Sequence, residues 1–102
     1  MNTSKTLLSK LYEFFADNIS LFKDFEHVYL FGSILKEDSY PHDIDLLLIY
    51  PEYNSNIIGD IKLLSFVLER EIALQLDLTV LSREELVDTQ FLNRINHYIV
   101  LK

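Results

Sequence analysis

Cysteine is absent from the 102 residues, and so is tryptophan. No disulfide, thiolate nucleophile or zinc–thiolate site can form. Glycine and proline number two each, too few for a linker-rich or disordered chain, so each is expected to mark a turn. Basic residues are the minority: nine Lys and Arg stand against sixteen Asp and Glu, a net charge of −7. Proteins grip phosphate backbones through basic surface, so no direct nucleic-acid partner is expected. The balance suits divalent cations or a basic protein partner instead. Long hydrophobic runs are missing too. The longest, Leu46 to Tyr50, is far shorter than a membrane span. Lys5, Lys10 and Glu13 interrupt the N-terminal apolar residues, unlike the core of a signal peptide. A cytoplasmic protein without membrane association is the expectation.

What is present suits one compact α/β domain over residues 1–102, with seven Phe and six Tyr as bulky core material. Leu7, Leu8, Leu11, Tyr12 and Phe15 recur at helical spacing, with Thr3 or Ser4 as cap. Leu21, Phe22 and Phe25 suggest a further short turn. His27 to Phe31 reads as a strand ending at Gly32, after which Ser33 opens a short helical stretch, Ile34 to Glu37. A loop follows, Asp38 to His42, punctuated by Pro41. Ile44 to Tyr50 reads as a buried strand closed by Pro51. Ile57, Ile61, Leu64, Leu68 and Ile72 form one stripe of a helix from about Ser55 to Ile72. Leu74 to Leu81 alternates: Leu74, Leu76, Leu78 and Val80 face one way, and Gln75, Asp77, Thr79 and Leu81 the other. Ser82 to Glu85 fits a capping box. A last helix is expected over Asp88 to Asn96, then a closing strand or tail, His97 to Leu101.

Four features converge on chemistry. A strand ends in Gly32-Ser33, a loop intervenes, Asp43-Ile44-Asp45 opens a second strand, and Asp77 sits within a third. Asp43 and Asp45 are two apart, so on a strand their carboxylates leave the same face. Carboxylates held together repel unless something positive lies between them. Magnesium is the natural occupant, because it takes oxygen ligands from one or two carboxylates and from substrate phosphates. If the third strand neighbours the second, Asp77 joins the cluster, and three carboxylates can clamp two metal ions about 3.5–4 Å apart. Gly32 lets the backbone approach a ligand closely. Ser33 places a hydroxyl where backbone N–H groups favour an anion. Together these are a phosphate seat beside a metal seat, the two requirements of nucleotidyl transfer. Asp45 also opens a wholly apolar run, where an unpaired carboxylate is costly to desolvate. Lys36 is the first candidate for a further phosphate contact. His42 is read as a solvated loop histidine and Tyr40 as packing on its own domain.

At Phe31-Gly32-Ser33, Asp43-Ile44-Asp45-Leu46-Leu47 and Leu76-Asp77-Leu78 the chain resembles the minimal nucleotidyltransferases of the DNA polymerase β superfamily. It looks most like the short antitoxins paired with HEPN-type ribonuclease toxins. The resemblance spans about residues 27 to 82. It implies the polymerase-β-type nucleotidyltransferase fold, a small mixed sheet flanked by helices. It also implies two Mg2+ ions, ATP as substrate, and transfer of AMP to a tyrosine of the toxin, as in a type VII-like antitoxin. On that reading Gly32 and Ser33 seat the triphosphate with help from Lys36. Asp43 and Asp45 hold both metals, and Asp77 completes the site and helps deprotonate the acceptor. Many relatives carry a basic residue after Gly-Ser and then an Arg-Gly pair, whereas this chain has Ile34-Leu35-Lys36-Glu37. The alternative is an antitoxin that neutralises its partner by contact alone.

Overall fold

The computed structural model describes residues 4–36 and 43–102. The loop containing Tyr40 and His42, and Thr3 as a candidate cap, lie outside the described residues. Helix α1 (Ser4–Asp17) is followed by a 3-10 turn (Ile19–Phe22) and strand β1 (His27–Phe31). A second 3-10 turn (Ser33–Leu35) precedes strand β2 (Asp43–Tyr50), helix α2 (Asn56–Ile72) and strand β3 (Gln75–Ser82). Helices α3 (Arg83–Thr89) and α4 (Phe91–Ile95) then lead to strand β4 (Tyr98–Val100). The four strands form one mixed sheet in the order β3-β2-β1-β4. β1 is antiparallel to β2 and β4, and β2 is parallel to β3. A parallel pair needs a crossover, and α2 supplies it.

The helical stripe of α2 lies where its spacing predicts. Ile57, Leu64, Leu68 and Ile72 are buried, each stabilising the fold by about 1.5–3 kcal/mol, and Ile61 packs at the margin of the same cluster. On α1 the buried residues are Leu7, Leu11 and Phe14, while Tyr12 turns to solvent. These side chains meet Val28, Leu30, Ile44, Leu46 and Leu48 on one face of the sheet. Alternation sends Tyr29, Leu47 and Ile49 to the other face, where Leu81, Leu86, Phe91 and Leu92 pack on them. Both faces of β2 are therefore covered along Leu46–Ile49, which is why that run is continuously apolar.

Three expectations change. Gly59 lies inside α2 and marks no turn. The helical stretch after Gly32 is one 3-10 turn that stops at Leu35, with Lys36 already extended. The expected helix over Asp88 to Asn96 is two helices. Helix α3 begins at the capping box, where Ser82 Oγ accepts from the Glu85 amide at 3.0 Å and Glu85 Oε1 accepts from the Ser82 amide at 2.9 Å. Gln90, left-handed at φ 51°, then breaks the chain between α3 and α4. The break lets Leu86 and Phe91 both reach the sheet, which one straight helix cannot do. Among the described residues no helix is long and apolar enough to cross a membrane.

Candidate active site

The register assembles the acidic residues. Asp45 on β2 lies directly beside Asp77 on β3, and Phe31 on β1 lies beside Asp45 on the other side. Directly paired residues share a face, and Asp43 is two positions from Asp45, so all three carboxylates emerge on the face opposite α1 and α2. One ligand oxygen from each of Asp43, Asp45 and Asp77 lies within 4.8 Å of the others. Asp43 and Asp45 are half-buried, and Asp77 is exposed. The three residues singled out in sequence are thus brought together in space.

The electrostatics of the cluster follow from that crowding. The Asp45 carboxyl is pushed up to about 6. Burial is the main cause, followed by the charges of Asp43 and Asp77 and a hydrogen bond shared with Asp77. A carboxyl in this position holds its proton to higher pH than an ordinary carboxylate, and a cation between the three groups would relieve the same repulsion. Three hard oxygen donors held this close match the donor set that magnesium prefers, so the residues present fit the metal that the sequence implies.

Gly32 joins the Ser33–Leu35 turn to this cluster. Its φ of 88° is a left-handed conformation that L side chains rarely adopt. A Cβ built on Gly32 would overlap the Asp45 carboxylate and stand 2.9 Å from its Cγ. The missing side chain therefore serves Asp45 as well as any ligand. The turn is closed by the Leu35 amide donating to the Gly32 carbonyl and the Lys36 amide to the Ser33 carbonyl, both at 3.1 Å. One 3-10 turn has almost no macrodipole, so an anion here would be held by local N–H and hydroxyl groups. Ser33 is partly exposed and Lys36 exposed, both just past the end of β1 that pairs with Asp45 of β2. Sequence reasoning missed α4 as a wall of the site. Phe91 packs edge-to-face on Phe31 with ring centroids 5.7 Å apart, beside Asp45. Its only sequence signal is one apolar residue just past the α3 break.

A mixed sheet with helices on both faces, and carboxylates from two neighbouring strands beside a glycine turn, defines the class of fold. That fold is shared with a solved protein. A crystal structure from Sulfolobus solfataricus, described provisionally as a nucleotidyltransferase, superposes with a TM-score of 0.52 at 23% identity. The match covers 95% of this chain and 80% of that one. The chain has a nucleotidyltransferase-type fold. No protein-family model matches it, and no curated protein gives a significant match.

Proposed function

We propose that this protein is a magnesium-dependent nucleotidyltransferase that moves AMP from ATP to a hydroxyl of a protein partner, most specifically a tyrosine of a HEPN-type toxin. The observation that carries the reading is the convergence of Asp43, Asp45 and Asp77 within 4.8 Å beside Gly32. Asp43, Asp45 and Asp77 would hold two magnesium ions, which when bound neutralise triphosphate charge and acidify the attacking hydroxyl. Gly32 and Ser33 receive the phosphates, with Lys36 as a neighbouring cation. The acceptor oxygen bonds to the α-phosphorus, pyrophosphate leaves, and Asp77, the exposed member, takes the proton. The partner, the nucleotide and the antitoxin role rest on the sequence resemblance.

The test is co-expression with a HEPN-type partner, followed by mass measurement of that partner. One added AMP, lost in Asp43→Ala and in Asp45→Ala, is the expected result. An unmodified partner that wild-type protein nonetheless neutralises would sink the enzymatic reading. The second reading, neutralisation by contact alone, is favoured by the net charge of −7. It predicts that the Asp43→Ala, Asp45→Ala double variant still protects cells.

A further inference from the structure

Among the described residues, the order of the strands leaves one side of the carboxylate cluster open. Gly32 abuts Asp45 from the β1 side, and Phe31 and Phe91 fill the space beyond it. On the opposite side stands Asp77, on β3, which ends the sheet. An acceptor that avoids the phosphate turn approaches across that edge.

The backbone of the edge is unequally used. The Leu76 amide donates to Glu69 Oε2 at 3.2 Å, and the Ser82 amide to Glu85 Oε1 at 2.9 Å. Both amides therefore point away from β2. Strand alternation places the N–H and C=O groups of Leu78 and Val80 on the same outer edge. Among the described residues no turn, loop or cap hydrogen bond engages either amide. The result is a window of free strand, bounded at each end by a glutamate and running beside Asp77.

Charge selects what can fill that window. Glu69 and Glu85 bracket it, Asp77 lies along it, and the chain as a whole carries −7. A second copy pairing edge to edge would bring these carboxylates together, and like charges across a strand pair are destabilising. A basic strand is attracted instead. We propose that the polypeptide acceptor docks as an added strand on the outer edge of β3, with basic side chains toward Glu69 and Glu85 and its hydroxyl residue over Asp77. This proposal rests on the nucleotidyltransferase reading and narrows its substrate to an extended, positively charged segment. Main-chain hydrogen bonds supply affinity in this mode, and alternate side chains supply specificity.

The probe is a synthetic peptide of alternating lysine and valine around one tyrosine. Its binding should slow amide exchange at Leu78 and Val80 and, with ATP and Mg2+, lead to labelling of its tyrosine. N-methylation of every second peptide amide removes the pairing donors of one edge. One of the two methylation phases should bind about tenfold more weakly or worse, the other nearly normally. A peptide with glutamate in place of lysine should not bind. Equal binding of both methylation phases, binding of the acidic peptide, or protection that spares Leu78 and Val80 overturns the proposal. Edge binding without Mg2+-dependent labelling would instead sink the transferase reading, and with it the role of the bound strand as acceptor.

Discussion

Gly32 and Asp45 interlock: the carboxylate of Asp45 occupies the space where any other residue at position 32 would carry its Cβ. Gly32→Ala must therefore displace Asp45 and also bear an unfavourable φ of 88°. The expected loss is about 2 kcal/mol or more of stability, together with near-complete loss of nucleotidyl transfer. Chemical unfolding and a labelled-ATP assay measure the two. Gly59 is the control. It lies inside α2, and a methyl added there would have nothing within 4 Å, so Gly59→Ala should be neutral or stabilise by up to about 1 kcal/mol.

Asp45 links stability to pH and to metal. Its folded carboxyl titrates near 6, against an ordinary value of 3.8. Between those values the folded state holds more protons than the unfolded state, so this group's contribution to stability is full below pH 3.8 and declines as pH rises toward 6. Screening at this half-buried position limits the effect to about 1–2 kcal/mol. Asp45→Asn should raise the Tm of the metal-free protein at pH 7.5, and flatten its pH dependence between 4 and 6. Mg2+ should raise the wild-type Tm more at pH 7.5 than at pH 5, where protons compete for the site. Thermal melts across pH, with and without Mg2+, decide it. An Asp45→Asn protein less stable than wild type in EDTA at pH 7.5 would contradict the argument.

A second acidic pair lies away from the site. One carboxylate oxygen each of Asp24 and Asp60 is screened from solvent without a donor. The Asp60 carboxyl is raised, chiefly by its hydrogen bond with Asp24, then by burial and by the Asp24 charge, with Lys23 opposing. Stability from the shared proton is present at low pH and fades as pH rises above the usual carboxylate range. Asp60→Asn supplies a permanent donor, so its Tm should exceed that of wild type at pH 8 and match it near pH 4.

The capping box at the start of α3 gives a local prediction. Ser82→Ala leaves the Glu85 amide without its Ser82 Oγ partner and should cost about 1 kcal/mol. Helix α3 carries Leu86 onto the Tyr29, Leu47 and Ile49 cluster, so amide exchange should rise first along 83–89 while the β1–β2 pair stays protected.

Much of this was legible in residue order because local rules decide it. Strand β1 has the predicted bounds, β2 and β3 each shift by about one residue, and the Ser82–Glu85 box forms as written. Asp43 and Asp45 had to share a face once the strand was granted. The link to Asp77 depended on β3 lying next to β2, which alternation cannot reveal. The Gly32–Asp45 contact and the Asp24–Asp60 pair are likewise products of register and helix placement, between residues far apart in the chain. The split of the last helix escaped because Gln90 adopts a left-handed conformation that glycine or asparagine would have signalled and glutamine does not. Tyr12 fits the α1 period yet faces solvent, because Phe14 fills the core from the adjacent stripe.

The crossover through α2 has a temporal consequence. Gly32, Asp43 and Asp45 belong to an antiparallel neighbour pair, β1 and β2, whereas Asp77 arrives only after the seventeen residues of α2 have packed and β3 has zipped onto β2. Longer-range pairings close later in folding. A nascent or partly melted molecule therefore owns two of the three clustered carboxylates and lacks the remaining one, so the complete cluster is itself a report that the outermost strand is home.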